Sequence, residues 1–350
     1  MTQRNRRPTA SKTELFTVGV LAALALLNPG AGAPRAFETA DARTIVVFRD
    51  HTIHFAPDDS AKYESGGVTV RDKGRVIAAR VELPPFAGPV RITGRLALRP
   101  IPKDELEMYD RWDRAGNVRL EVAGGPDVEL IKFVTAHGGP TEFEVDLSPL
   151  APLLAGPRVI KGFVDTWVTP GWRMDFSLTY APDSQALNAD WAAGLLYEEA
   201  FTRDDPGAAG RAAVIEVPEG MERVLLHYYV SGHCTDGTDA DEFVSKDNVI
   251  SVDGAVVYRY PPWRDDCRRF RAINPYCRRW TDGSWSCDYS RSGWCPGDRA
   301  APLELDLTDH LTAGRHTLRF VIEDIRPKDE RGNYGYWRVS GQLLGWRQPR

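Results

Sequence analysis

Apolar and polar residues alternate along most of the chain, in short segments separated by glycine, proline, aspartate and asparagine. No long stretch keeps a helical period. A period of two with frequent turn residues is typical of antiparallel β-sandwiches, so the pattern predicts an all-β fold. Between residues 37 and 182 the alternating segments are TIVVF, RVIAARVELP, PVRITGRLALRP, NVRLEVAG, VELIKFVTA, TEFEVDLS, RVIKGFVDTWV and RMDFSLTY.

The same pattern returns in the second half of the chain, in segments such as NVISVDGAVVYRY and HTLRFVIED. We therefore predict an N-terminal β domain over residues 37–182 and a C-terminal one over 205–350. Residues 183–204 are predicted to be a linker with a short helix around 187–200. The two halves also share an internal sequence similarity, which favours two sandwiches of the same kind. The similar segments are FEVDLSPLAPLLAGPRVIKGFVD and LELDLTDHLTAGRHTLRFVIE.

The first 36 residues differ from the rest of the chain. A basic start is followed by a thirteen-residue apolar run from Leu15 to Leu27 and by small residues. This order predicts a secretory signal peptide over residues 1–36, because the apolar run is too short to span a bilayer. A signal anchor or an interfacial helix is the alternative. The mature protein is expected to be secreted or periplasmic, with no membrane association after signal removal.

The net charge excludes one class of partner. The formal charge of −5 becomes −9 without residues 1–36, which carry five basic residues and one acidic residue. An acidic body argues against nucleic-acid binding, which requires a concentrated basic surface. The one arginine-rich stretch, WRDDCRRFRAINPYCRRW, also contains acids and cysteines, so a stapled loop is the favoured interpretation. A monomer is expected.

All five cysteines lie in the second half, and four of them fall between residues 267 and 295. After export, such clustering predicts disulfides that close a long irregular loop. Zinc is the alternative, but the segment has no Cys-x2-Cys pair and no histidine. We therefore predict no metal and no cofactor.

Ten tryptophans and three acids beside aromatic residues suggest a sugar-binding site. Indole faces pack against sugar rings while carboxylates and arginines bind hydroxyls, and paired carboxylates can hydrolyse an amide or glycosidic bond. The acids are Asp113, Asp165 and Glu242; taken singly, each also fits a turn or a surface ion pair. Among the scattered histidines, only His233 is near these acids in sequence. Motifs of serine hydrolases and metalloproteases are absent.

The segment WDRAGNV resembles the Trp-Asp-Arg-x-x-Asn-Val segment of the bacterial peptide-N-glycosidase F family. Similar pieces follow in order: DTW, DEF, SRSGWCPG and YWRVSGQLL, so that the resemblance spans residues 40 to 347. It implies two eight-stranded antiparallel jelly rolls packed side by side, with the site in the cleft between them. It also implies an amidase that releases N-linked glycans from asparagine, with N-linked glycoproteins or glycopeptides as partners.

The resemblance assigns roles to individual residues. It implies that Asp113 and Glu242 are catalytic, with Arg291 keeping both carboxylates ionised. Asp110 and Arg111 are expected to be solvated loop. The residues implied to contact the glycan are Trp112, Arg114, Asp165, Trp167 and Trp294.

The resemblance also implies a disulfide between Cys277 and Cys295, which suggests Cys267 with Cys287 as the second and leaves Cys234 outside both. Asp165 stands where the family has glutamate, and two small disulfide loops of the family have no cysteines here. Two other functions are considered. One is a secreted carbohydrate-binding protein without catalysis; the other is a two-jelly-roll copper monooxygenase, which would require more histidine and methionine ligands.

Overall fold

The computed structural model describes residues 42–203, 210–236 and 240–347, so the predicted signal peptide lies outside the described residues. Apart from short 3₁₀ turns, the regular secondary structure of the described residues is β-strand, which confirms the all-β prediction. The first nine strands are β1 Arg43–Ile53, β2 Val68–Arg71, β3 Val76–Leu83, β4 Val90–Pro100, β5 Ala115–Leu120, β6 Val128–Val134, β7 Thr141–Asp146, β8 Gly156–Val164 and β9 Trp172–Pro182. The others are β10 Trp191–Thr202, β11 Arg211–Val217, β12 Arg223–Cys234, β13 Asn248–Val252, β14 Ala255–Tyr260, β15 Trp263–Arg264, β16 Arg291–Ser292, β17 Leu303–Asp306, β18 Gly314–Ile322 and β19 Gly335–Trp346. Short 3₁₀ turns occupy Asp72–Gly74, Ser148–Leu153, Cys267–Ile273 and Ser286–Asp288.

The strands form two sandwiches with the same wiring. In the first, sheet β1-β9-β4-β7 faces sheet β2-β3-β8-β5-β6; in the second, sheet β10-β19-β12-β17 faces sheet β11-β18-β13-β14. With the short β2 set aside, both follow the jelly-roll order 1-8-3-6 over 2-7-4-5. Among the described residues the first sandwich therefore has nine strands, one more than the expected eight. β15 and β16 form a separate two-stranded ribbon.

Each sandwich has its own apolar core between its two sheets. Phe48 and Phe176 of one sheet meet Ile77 and Ile160 of the other in the first core. The second core is built in the same way around Leu226, Phe320 and Trp337. Both sandwiches belong to one compact unit.

The predicted helix near residues 187–200 is wrong, because residues 191–202 form β10, which pairs with β19. The register of this pair shifts between Gly194 and Leu196 and again between Glu198 and Phe201. Each bulge moves the following side chains to the other face. The period of two is thereby hidden in the sequence, although the backbone is a strand.

A polar seam joins the sandwiches along β5, β6, β10 and β19. Asn117 Nδ2 donates to Tyr197 Oη at 2.8 Å, and Ser340 Oγ donates to the buried carboxylate of Glu129. Residues from both sandwiches are thereby held close together beside the site. In the described ranges, no helix is long and apolar enough to cross a membrane.

Candidate active site

One cleft of about 980 Å³ brings together all eight residues predicted for the site. Asp113 and Trp167 come from the first sandwich, Glu242 from the second and Arg291 from the β16 ribbon. Residues separated by up to 182 positions in sequence thus line the same cleft. The eight are Trp112, Asp113, Arg114, Asp165, Trp167, Glu242, Arg291 and Trp294.

Asp113 stands just before β5, and the hairpin of β5 with β6 holds it in place. Arg114 N donates to Thr135 Oγ1 at 2.8 Å, and Thr135 N donates to Arg114 O at 2.8 Å. These bonds continue the ladder beyond the paired ends Ala115 and Val134. The side chain of Asp113 is thus carried by a fixed backbone.

Asp110 is the anchor of this loop, so its predicted place in a solvated loop is wrong. Its side chain is fully buried and accepts hydrogen bonds from Arg114 Nε at 2.9 Å and Thr166 Oγ1 at 2.6 Å. Trp172 Nε1 donates to the same carboxylate at 3.4 Å. A buried carboxylate needs such partners, since desolvation of an unpaired charge is costly.

Glu242 is carried by a loop with the same kind of anchor. Asp241, which precedes it, is fully buried and has a φ of 43°. Its carboxylate accepts hydrogen bonds from Trp337 Nε1 at 2.9 Å and from Arg326 N at 3.0 Å. On the other side, Ser292 N donates to Glu242 O at 2.9 Å and ties the loop to the ribbon.

Arg291 joins the two carboxylates. Its Nε donates to Glu242 Oε1 at 3.3 Å, and its Nη2 lies 3.8 Å from Asp113 Oδ2. Its guanidinium lies 5.0 Å from the ring of Phe243 and 4.8 Å from that of Trp294. The side chain is only 3% exposed, so the two acids meet one fixed, buried cation.

The two acids differ in protonation, although both carboxylates are nearly equally buried. Burial alone would raise the pKa of Asp113, but the charges of His137, Arg291 and Arg114 outweigh it and hold this pKa below its ordinary value. Burial and the charge of Asp113 together raise the pKa of Glu242 to about 7, against the opposing effect of Arg291. Arg291 therefore lowers the pKa of both acids, as expected, but at Glu242 burial outweighs its effect.

His137 is a site residue that the sequence did not reveal. Its Nε2 lies 3.3 Å from Asp113 Oδ2, and its backbone N–H donates to Asn274 Oδ1 at 2.8 Å. The only sequence signal would have been the β5–β6 register, which places residues after Val134 opposite those before Ala115. His233, the histidine that sequence proximity favoured, is instead packed between other rings.

The two rings that flank His233 are Trp294 and Tyr336, with centroids 5.3 Å away on each side. Burial holds the pKa of His233 well below its ordinary value, with the charges of Arg338 and Lys132 acting in the same direction. Trp294 is also buried, and its Nε1 donates to Gly232 O at 2.8 Å. Trp294 thus supports Arg291 and offers no open face to a ligand.

Trp112 and Trp167 are the most exposed tryptophans that line the cleft, each 54% exposed. The guanidinium of Arg75 lies 5.0 Å from the ring of Trp167. Asp165 is held by two arginines, Arg75 Nη1 at 2.9 Å and Arg338 Nη2 at 2.6 Å. Since Arg338 belongs to β19, this pair also ties the second sandwich to the first.

The cysteine-rich loop contains two disulfides, as predicted in number, but both predicted pairings are wrong. Cys267 pairs with Cys295, and Cys277 pairs with Cys287. The reason is a hairpin: Ser286 N donates to Arg278 O at 2.9 Å, which brings the flanking residues 277 and 287 opposite each other. Cys234 lies outside both disulfides, and its thiol donates to Glu242 Oε2 at 3.6 Å.

The fold and the cleft define a class: a double jelly roll with two acids linked by an arginine between the sandwiches. Comparison with known proteins makes this more specific. A sequence model described as "Peptide-N-glycosidase F, C terminal" matches residues 197–344. The chain is also 24% identical, over 285 residues, to the peptide-N(4)-(N-acetyl-beta-D-glucosaminyl)asparagine amidase F of Elizabethkingia miricola, covering 74% of this chain and 76% of that protein. These matches support a relationship of the chain to the peptide-N-glycosidase F family.

Two solved structures share the fold. PNGF-II is 24% identical with a TM-score of 0.76, over 88% of this chain and 66% of that one. PNGase F, described as a glycosylasparaginase from Flavobacterium meningosepticum, is 16% identical with a TM-score of 0.67, over 89% of this chain and 97% of that one. This chain thus spans nearly the whole of PNGase F and about two thirds of PNGF-II.

Proposed function

We propose that the protein is a secreted amidase that hydrolyses the amide bond between N-acetylglucosamine and asparagine in N-linked glycoproteins or glycopeptides. The glycan leaves as a glycosylamine, and the asparagine becomes aspartate. The observation that carries the proposal is the pair Asp113 and Glu242, both in ion-pair contact with the buried guanidinium of Arg291, in a cleft that two exposed tryptophans also line. Similarity to the peptide-N-glycosidase F family supports it.

In this proposal, Glu242 acts on water. Its pKa of about 7 lies near the working pH, where a general acid–base group is most effective. Deprotonated Glu242 takes a proton from a water whose oxygen bonds to the amide carbon. As the carbon–nitrogen bond breaks, the same proton can pass to the leaving nitrogen.

Asp113 has a complementary part. The lowered pKa keeps it ionised, so it suits acceptance of a hydrogen bond from the scissile amide N–H better than donation of a proton. That bond would orient the amide between the two acids. Arg291 fixes the spacing of both carboxylates through charge-assisted contacts.

The sugar would lie on the first-sandwich side of the cleft. Trp112 and Trp167 offer apolar faces for sugar rings. Arg114 and Asp165 also line the cleft near these rings and could contact hydroxyl groups. Asp165 is one methylene shorter than the glutamate of the family, and its two arginine partners already occupy part of its capacity to accept hydrogen bonds.

A secreted or periplasmic location follows from the predicted signal peptide over residues 1–36 and agrees with the two disulfides. Such a location would give the enzyme access to glycoproteins outside the cytoplasm.

Mass spectrometry of a defined N-glycopeptide tests the proposal. The wild-type protein should release the whole glycan and convert the asparagine to aspartate, while Asp113→Asn should not. A glycopeptide that keeps one N-acetylglucosamine would indicate an endoglycosidase instead. Binding of the glycopeptide without any release would indicate a carbohydrate-binding protein, and full release by Asp113→Asn would refute the role of Asp113.

A further inference from the structure

The Cys277–Cys287 disulfide closes a hairpin that forms one wall of the cleft. Trp280 N donates to Ser284 O at 2.9 Å, and Arg278 N donates to Ser286 Oγ at 3.0 Å. Together with the disulfide, these bonds hold the backbone of the hairpin in one conformation. The backbone that presents side chains to the cleft therefore needs no rearrangement to bind a ligand.

Arg278 and Trp280 are two exposed side chains of the hairpin that line the cleft and are accessible to a ligand. The guanidinium of Arg278 lies 4.0 Å from the ring centroid of Trp280, and Trp280 is 37% exposed. Arg271 of the same loop is neutralised by Asp288. In contrast, no carboxylate among the described residues lies within ion-pair distance of Arg278, which is itself exposed.

We propose that Arg278 and Trp280 form a carboxylate-binding subsite of the cleft, which takes an acidic group of the substrate. A guanidinium presents a fork of N–H donors that matches a carboxylate, and the indole beneath it provides a flat apolar surface for the body of the ligand. A positive group that lines the cleft of an acidic protein would also attract an anionic substrate.

This inference rests on the proposed function and extends it to substrate choice. The cleft contains the tryptophans of the first sandwich on one side and this hairpin on another. A glycopeptide can offer a carboxylate from two sources: an Asp or Glu side chain near the glycosylated asparagine, or a sialic acid of the glycan. The two sources share the same chemistry and are separated by the choice of substrates.

Three glycopeptides test the subsite: one neutral, one with an aspartate near the glycosylated asparagine, and one neutral peptide with a sialylated glycan. We expect wild-type kcat/KM to favour at least one acidic substrate over the neutral one by about 3-fold to 10-fold. Arg278→Gln should reduce this ratio to about 1, mainly through KM, because the interaction is one of binding. High salt should weaken the wild-type preference.

Arg279→Gln is the matched control, since Arg279 is the next residue of the hairpin, is exposed and does not line the cleft. It should keep the wild-type ratio. The acidic substrate that loses its advantage in Arg278→Gln identifies the source of the carboxylate. Absence of any acidic preference in the wild type, or equal loss in both variants, would overturn the subsite.

The failure of the subsite can be told apart from failure of the amidase proposal. Release of glycan from the neutral glycopeptide tests the amidase alone. If no glycopeptide is cleaved, calorimetric titration of the wild type and the two arginine variants with the same three glycopeptides still measures the acidic preference directly.

Discussion

The loops that carry Asp113 and Glu242 are the same part of two similar sandwiches. Asp113 lies in the loop between β4 and β5, and Glu242 in the loop between β12 and β13. Both loops therefore follow the third strand of their jelly roll when β2 is set aside. In each, a buried aspartate, Asp110 or Asp241, accepts the indole N–H of a tryptophan on the last strand of its sandwich. The same hydrogen bond between a buried aspartate and a tryptophan thus holds the loop in both sandwiches.

The charges around the two mounted acids differ. Their side chains are 16% and 15% exposed, so burial alone does not separate them. Asp113 faces His137, Arg291 and Arg114, and its pKa is lowered. Glu242 has the cation Arg291, together with the like charge of Asp113, and its pKa is raised. The local count of charges, rather than the loop, decides which acid titrates near neutrality.

The largest expected effect on activity comes from replacing Asp113 or Glu242 by its uncharged amide. Asp113→Asn and Glu242→Gln should each reduce kcat/KM for glycan release by about 100-fold to 10,000-fold. The double variant should lose less than the product of the two factors, because the acids act on one bond. Glu142→Gln, an exposed acid in β7, is the control and should keep full activity.

The same variants sharpen the comparison through pH. Wild-type kcat/KM should rise as the pH increases through about 7, as Glu242 loses its proton. In Asp113→Asn, the midpoint of the residual activity should move to lower pH, because a like charge has been removed. A midpoint that survives unchanged in Glu242→Gln would contradict the assignment of this limb to Glu242.

The next largest effect should come from the anchors. Asp110→Ala and Asp241→Ala should each lower the free energy of unfolding by about 3 to 5 kcal/mol, since each removes the acceptor of several buried donors. Urea denaturation measures this cost. Trp172→Phe and Trp337→Phe remove one donor each and should cost less. If only one aspartate variant is destabilised, the two loops are not held in place by equivalent buried aspartates.

Stability as a function of pH should separate the acids by sign. The pKa of Glu242 is raised from 4.5 to about 7 in the folded protein, so its stabilising effect is full below about 4.5 and is lost as the pH rises through 7. Glu242→Gln should therefore be more stable than the wild type at pH 8, by about 1 to 3 kcal/mol. At pH 4 the two proteins should be similar.

Asp113→Asn should behave in the opposite way. The lowered pKa of Asp113 means that its stabilising effect is present above its ordinary value of 3.8 and is lost as the pH falls through the folded pKa. This variant should thus be less stable than the wild type at pH 8. Chemical denaturation of both variants at pH 4 and pH 8 checks the signs; two variants that shift in the same direction at pH 8 would contradict the account.

The sequence predicted the β-sandwiches because most strands keep a strict period of two. It failed at β10, where two bulges hide that period. Asp110 looked like a loop residue because its partners Thr166 and Trp172 are 56 and 62 positions away. The pairing of the cysteines depends on a hairpin register that sequence spacing does not reveal. Long-range contacts, rather than local patterns, account for these errors.

The smallest expected effect concerns His137, which contacts Asp113 and has no counterpart among the groups that shift the pKa of Glu242. His137→Gln removes the interaction of the imidazole with Asp113, so the pKa of Asp113 should rise toward its ordinary value. Arg291 and Arg114 remain, and Asp113 should stay ionised at neutral pH. We therefore expect kcat to fall by only about 3-fold to 10-fold, with KM nearly unchanged.

His316→Gln is the matched control, because His316 also pairs with an aspartate, Asp253, at 2.7 Å but on the surface and outside the cleft. It should leave kcat unchanged. A structural role of His137 would instead lower stability and change KM and kcat together. If His137→Gln loses as much activity as Asp113→Asn, then His137 takes part in the reaction itself, and the difference between the two loops is chemical as well as electrostatic.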